Sequence, residues 1–536
     1  MISSSIWNAD LGNGTYRNPI LYADYSDPDA IRVGEDYFMI ASSFCNAPGL
    51  PLLHSKDLVN WKVVNYILSE IPEARYEAPI HGCGVWAPSI RYHEGTYFAC
   101  FPMPDEGIYM STATDPFGTW SKPVNIRPGA GWIDPCPFWD EDGKAYLVAG
   151  VAKSRIGYKS VLHMAEMQPD GMGLIGAEVK IFDGNENDQV TIEGPKMYKR
   201  NGWYYIFAPA GGVKTGWQTV LRSKNVFGPY EYKVVMRQGD STVNGPHQGA
   251  WVDTVTGEDW FIHFQDVYGA GRITHLQPMS WQEDWPVIGV AKNGSDYGEP
   301  VMEYRKPNVG GVKQEICEPE TSDDFTGKTL GLQWQWNANP KAEWYELTGS
   351  SMKLNAVYKN SAYGDMPNLL LQKWPAPEFA CTTKFDLSNL SEGDEAGVIS
   401  MGMSYGLITF RKEGNRLVPS YISGVQKYGK ILPDTTEETV AMLPEIDIEQ
   451  AEAIYVKYTV KCVGTQDLNE KEKNFPLELV TIAYSTDGSA YRKAGEMQAV
   501  PGRWVGVKNG VFCASANKES QGYAVVEYVE YTGITS

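Results

Sequence analysis

Five short segments of this chain resemble one another and carry side chains able to move protons or hold a polar ligand. They are Ser26-Asp27-Pro28-Asp29-Ala30, Val85-Trp86-Ala87-Pro88-Ser89, Ile133-Asp134-Pro135-Cys136-Pro137, Ile192-Glu193-Gly194-Pro195-Lys196 and Gly245-Pro246-His247-Gln248-Gly249. Their shared position holds Asp27, Trp86, Asp134, Glu193 and, within a residue, His247, with Gln248 beside it. If that position lines one axis, three carboxyls meet in one restricted space. Carboxylates so placed raise each other's pKa and resist joint ionisation, a cost that folding alone has no reason to bear three times. Hydrolysis of a glycosidic bond does give a reason. One carboxyl must stay protonated to donate to the leaving oxygen, another must be ionised to activate water, and a third charge beside the acid helps it keep its proton.

Each residue has a plainer reading when taken singly. Asp before Pro is a common turn and cap residue. Glu193, between Ile192 and Gly194-Pro195, would serve as a strand-end partner in an ion pair. Trp86 could be simple core and His247 a satisfied buried histidine. Their recurrence at one repeated position favours the chemical reading.

The elements that must position them recur too. A Gly followed three places later by an aromatic opens a short apolar run five times, at Gly34, Gly95, Gly143, Gly202 and Gly257. The spacing of roughly 50 to 60 residues is that of propeller blades. Most runs lead into a second strand and a turn ending in an aromatic, as in 54–61, 113–120 and 223–230. The runs are β-branched and aromatic, bounded by Gly, Asn, Asp and Pro, and helical periodicity is nearly absent. The expected fold is all-β: a five-bladed β-propeller over residues 1–305, a Pro-, Gly- and acid-rich linker at 306–322, and a β-sandwich over 323–536. The short apolar run opened by each Gly-x-x-aromatic would be a blade strand, with the acidic segments on the innermost strands around the channel.

Composition narrows the partners. The chain has 536 residues, too many for one core, and a formal net charge of -20. Such acidity disfavours nucleic acid and anionic membrane surfaces, and a neutral, aromatic-stacking ligand such as a sugar fits best. The eight cysteines are scattered with no Cys-x-x-Cys pair, so a zinc or redox motif is not expected and most should be buried and reduced. No run is long and apolar enough for a membrane span, and residues 1–14 have no basic-then-apolar leader. A cytoplasmic protein would read this way, as would a mature form without its leader. A homo-oligomer is compatible with this composition, as is a monomer.

With these motifs in hand, the sequence resembles glycoside hydrolase family 43, the five-bladed β-xylosidases and α-L-arabinofuranosidases. The matching segments are Asn18-Pro19-Ile20, Asp27-Pro28-Asp29, residues 54–61, Val85-Trp86-Ala87-Pro88-Ser89-Ile90, Ile133-Asp134-Pro135, Glu193-Gly194-Pro195 and Gly271-Arg272. Asp324-Phe325 and residues 332–337 look like the concanavalin-like sandwich carried by many family xylosidases. The resemblance implies Asp27 as general base, Glu193 as general acid and Asp134 as the residue that tunes and orients the acid. It implies that Arg272 binds a sugar hydroxyl, that Phe44 and Trp86 wall the terminal subsite, and that Gln248 contacts substrate. His247 would sit at the channel floor, contacting substrate or standing near a structural calcium ion, although imidazole is a poor ligand for that cation. No cofactor is implied for the chemistry. Inversion at the anomeric carbon is implied, which needs roughly 6.5–9.5 Å between base and acid.

The expected substrates are xylo-oligosaccharides or arabinose-substituted hemicellulose. The leading reading is an exo-acting β-1,4-xylosidase with α-L-arabinofuranosidase activity. A dedicated arabinofuranosidase debranching arabinoxylan, arabinan or xyloglucan, an endo-arabinanase, and a non-catalytic carbohydrate-binding propeller are the alternatives. Glu193-Gly194-Pro195 departs from the Glu-Cys-Pro of related sucrose-splitting propellers and counts against a fructosidase. Whether the second domain shapes the pocket is left open at this level.

Overall fold

The repeated glycines show why the chain folds as it does. Gly34, Gly95, Gly143, Gly202 and Gly257 all adopt φ between 65° and 83°, and for each a Cβ would meet nothing or only the tip of a lysine. Backbone sign, not crowding, therefore selects glycine at these turns. Each sits in the hairpin joining the first and second strands of a sheet, so the repeat marks one strand reversal per blade. The turns ending in an aromatic join third to fourth strands. In each, the aromatic donates back into its own turn: Trp61 Nε1 to Leu58 O, Trp120 Nε1 to Pro116 O and Tyr230 Oη to Val226 O.

The computed structural model describes residues 6–292, 294–428, 433–451 and 453–534. Five four-stranded antiparallel sheets, each in simple sequence order, span 29–68, 89–128, 132–183, 196–236 and 247–288. They form the blades of a propeller. Their innermost strands are Asp29–Val33, Ser89–His93, Trp132–Trp139, Lys196–Arg200 and His247–Asp253. The ring closes where blade five meets blade one. Tyr37, Met39, Leu53 and Trp61 of blade one pack with Ala250, Trp260, Ile262 and Leu276 of blade five, and Arg32 pairs with Asp253. An added antiparallel pair, Thr15–Arg17 with Glu303–Arg305, ties the chain on both sides of the ring together. Lys306 reinforces it through Asp10 and Asp57.

The remaining strands make two packed sheets of nine and seven strands, the expected sandwich. Its core holds Trp334, Trp336, Trp344, Trp374 and Phe379, and it runs without a break into Val267, Ala270 and Ile273 of the propeller. Backbone bonds cross the junction in both directions between Ala47 and Trp336, and Asn339 both donates to and accepts from the backbone of Ile71. All eight cysteines are free.

Candidate active site

Asp27 and Asp134 adopt the same left-handed backbone, φ 54° in both, and Gln248 also has positive φ. Asp tolerates this conformation better than most residues, and such strain collects at functional sites. Asp27 lies two residues before the first strand of its blade, and Asp134 lies in a break of register between Ile133 and Cys136. Gln248 lies in the corresponding break between His247 and Gly249. These kinks at the strand entries turn side chains out of the sheets and toward the axis.

They converge on one cavity of about 380 Å³. Its lining includes Asp27, Asp134, Glu193, Phe44, Trp86, Gln248 and Arg272. Asp27 is held by Arg272, whose Nη1 donates to Oδ1 (3.0 Å) and Oδ2 (3.3 Å), and by the hydroxyls of Ser42 (2.6 Å) and Ser26 (3.2 Å). These three donors fix the orientation of a buried carboxyl. Asp134 accepts the Gly194 N–H at 2.8 Å and the Gln248 amide at 3.3 Å. Burial, reinforced by the neighbouring charges of Glu193 and Asp27, pushes Asp134 up to about 8. Lys196, fully buried behind it and bonded to Pro88 O and Ser89 Oγ, opposes that rise. Glu193 is the most exposed of the three carboxyls, and its Oε1 lies 2.8 Å from His247 Nε2.

His247 differs from its expected place. It is wholly buried behind Glu193 and is absent from the cavity wall, so it contacts the acid rather than a ligand in the pocket. As a calcium position it fits poorly. Among the described residues no group of three His, Cys, Asp or Glu side chains could hold a metal. The unpartnered groups nearby are one imidazole nitrogen, His247 Nδ1, and one amide oxygen, Gln248 Oε1. That is far from the roughly six to eight oxygens calcium takes.

Four contributors were missed in the reading of the sequence: Trp504, Asp24, Lys153 and Lys159. Trp504, on a loop of the sandwich, completes the cavity wall, with its ring 6.3 Å from that of Trp86 and 5.7 Å from the Arg272 guanidinium. Asp24 fixes that loop: it accepts the backbone N–H of Arg272 at 2.9 Å and of Gly506 at 2.9 Å. Gly271 makes this approach feasible, since at φ 79° a Cβ would lie 2.6 Å from Gly506 N and 2.7 Å from Asp24 Oδ1. Lys153 and Lys159 lie on the rim. For Trp504 a signal existed, a lone Trp in the glycine-bounded run Gly502-Arg503-Trp504-Val505-Gly506. Asp24 had none.

Comparison with known proteins agrees with this architecture. The model of glycosyl hydrolases family 43 matches residues 16–286, and that of the beta xylosidase C-terminal concanavalin A-like domain matches 322–532. The chain belongs to glycosyl hydrolases family 43. A putative beta-xylosidase of Xylanibacter ruminicola is 38% identical over 508 residues, covering 94% of this chain and 86% of the relative. A non-reducing end alpha-L-arabinofuranosidase of Bacteroides ovatus is 31% identical over 78% of this chain and 80% of its own. Among solved structures, a bifunctional GH43-CE protein of Bacteroides eggerthii aligns with a TM-score of 0.79 at 28% identity, over 97% of this chain and 64% of that longer one. The protein is thus an exo-acting glycoside hydrolase of this family.

Proposed function

We propose that the protein releases terminal xylose from β-1,4-linked xylo-oligosaccharides and terminal α-L-arabinofuranose from substituted hemicellulose, with inversion at the anomeric carbon. The observation that carries this reading is the convergence of Asp27, Asp134, Glu193 and Arg272 from separate blades on one cavity that Trp504 caps. A cavity bounded in this way suits a chain end. The relatives named for β-xylosidase and arabinofuranosidase activities support both substrates.

In this scheme Asp27, oriented by Arg272 and two serines, takes a proton from water as the water oxygen bonds to the anomeric carbon. Glu193 gives its proton to the glycosidic oxygen as that bond breaks. With His247 in the tautomer protonated at Nε2, that nitrogen would donate to Glu193 Oε1, 2.8 Å away, and leave Oε2 to carry the proton toward the leaving group. Asp134 accepts the Gly194 N–H and so positions the segment that bears the acid, while repulsion between the two carboxyls keeps them from ionising together. Arg272 and the rings of Phe44, Trp86 and Trp504 orient the sugar.

Assays on the two 4-nitrophenyl pentosides and on xylobiose test the reading. Glu193→Ala should abolish xylobiose cleavage while sparing more of the aryl glycoside rate, because an activated phenol needs little protonation. Asp27→Ala should lose both. More than a few per cent of wild-type turnover in Asp27→Ala would overturn the base assignment. Hydrolysis of the arabinofuranoside alone would leave a dedicated arabinofuranosidase, and an α-xylose product seen first by NMR would establish inversion of a β-xyloside.

A further inference from the structure

The segment 152–160, Ala-Lys-Ser-Arg-Ile-Gly-Tyr-Lys-Ser, joins the second and third strands of blade three and lies on the cavity rim. It carries three cations and no acid, in a chain whose formal charge is -20. Arg155 is engaged, donating to both oxygens of Asp105 (3.0 and 3.1 Å) with its guanidinium 5.1 Å from the Trp86 ring. Lys153 and Lys159 are exposed, both line the cavity, and neither is ion-paired among the described residues. Lys159 is nevertheless held in place, since its Nζ donates to Thr191 Oγ1 at 2.8 Å, two residues from Glu193.

Charge in the cavity is therefore separated by depth. Asp27 and Asp134 are buried, and the one deep cation in the lining, Arg272, is committed to Asp27. The uncommitted positive charge is all at the mouth. A sugar entering the closed end must be neutral, while a group left at the mouth meets two ammonium ions in a wall shared with Trp86. A lysine ammonium presents a point charge that suits a carboxylate without demanding one geometry. Resting on the hydrolase reading above, we propose that Lys153 and Lys159 form a leaving-group subsite for a carboxylate. The substrate class is an oligosaccharide whose sugar next to the scissile bond bears a uronic acid. This subsite would set a preference among chain ends rather than take part in bond cleavage.

The test compares xylotriose carrying glucuronic acid on its central sugar with the same compound after reduction of that carboxyl to an alcohol. The two differ in charge and scarcely in shape. The readout is the ratio of kcat/KM for the acidic over the reduced compound, so a change common to both cancels. Exposed ion pairs of this kind predict a ratio of about three to ten in the wild type at low ionic strength. It should fall toward one in 0.5 M salt, at which screening reaches only about 4 Å, and in the Lys153→Ala/Lys159→Ala double variant. A wild-type ratio of one or below, or a ratio unchanged in the double variant, overturns the proposal. Calorimetric affinities of Glu193→Gln protein for the two compounds carry the same comparison without turnover. Failure to cleave any pentoside would thus condemn the hydrolase reading, whereas equal affinities would condemn this one.

Discussion

Asp134 is the residue on which the electrostatics of the cavity turns. Its carboxyl is buried, bonded to only one backbone N–H and one amide, and faces two other acids. Folding therefore raises it from 3.8 to about 8. Between those values the native protein holds a proton that the unfolded chain has lost, so this group makes the fold less stable as pH rises through that window. Asp134→Asn keeps an acceptor for Gly194 N and removes the charge. It should raise the melting temperature by about 2–4 °C at pH 8 and change it little at pH 4. Differential scanning calorimetry at the two pH values reads this, and an equal shift at both would refute the electrostatic origin. Turnover should fall sharply in the same variant, the usual trade of stability against an active site.

At the scale of elements, the decisive piece is the sandwich loop carrying Trp504. Two observations place it against the propeller: the Asp24 carboxylate shared between Arg272 N and Gly506 N, and the Val507 N–H donated to Gly269 O at 2.8 Å. One buried carboxylate thereby sets the backbone of both Arg272 and the loop that carries Trp504. Trp504→Ala leaves these bonds intact and removes only the ring. It should cost about tenfold in kcat/KM on aryl pentosides, the scale of one aromatic contact with a sugar. The loss should fall mainly on KM if the ring binds ground and transition states alike. A variant within twofold of wild type would show that the lid contributes nothing to binding.

Across the whole molecule, the sandwich core takes in Val267, Ala270 and Ile273 of the propeller, and a buried acid sits at that junction. Glu478 of the sandwich is pressed against the Gly269–Ala270 backbone, where a Cβ on Gly269 would lie 2.3 Å from its Oε2. Burial lifts it from 4.5 to about 8. The sign is the same as for Asp134: the native state keeps this proton up to about pH 8, so domain cohesion weakens as pH rises from 4.5 toward 8. Glu478→Gln should flatten that fall, with a higher melting temperature than wild type at pH 8 and a similar one at pH 4.5. Unfolding curves recorded across this range test it, and a parallel offset at all pH values would speak against titration as the cause.

The blade count, the all-β class and the sandwich were legible because they rest on local rules. Glycine at five positive-φ turns, aromatics closing the turns between third and fourth strands and Asp at kinked strand entries each leave a mark within a few residues of chain. The three carboxyls could be singled out for the same reason, since radial repetition carries equivalent positions of each blade to one axis. Trp504, Asp24 and the rim lysines lay outside that logic. Nothing in a repeat of the propeller specifies which loop of a second domain will press on its mouth, which carboxylate will tie the two together, or which side of a buried acid a histidine will occupy. Those were decided by the packing of distant surfaces, where the free energy depends on what each chain segment meets and not on what lies beside it in sequence.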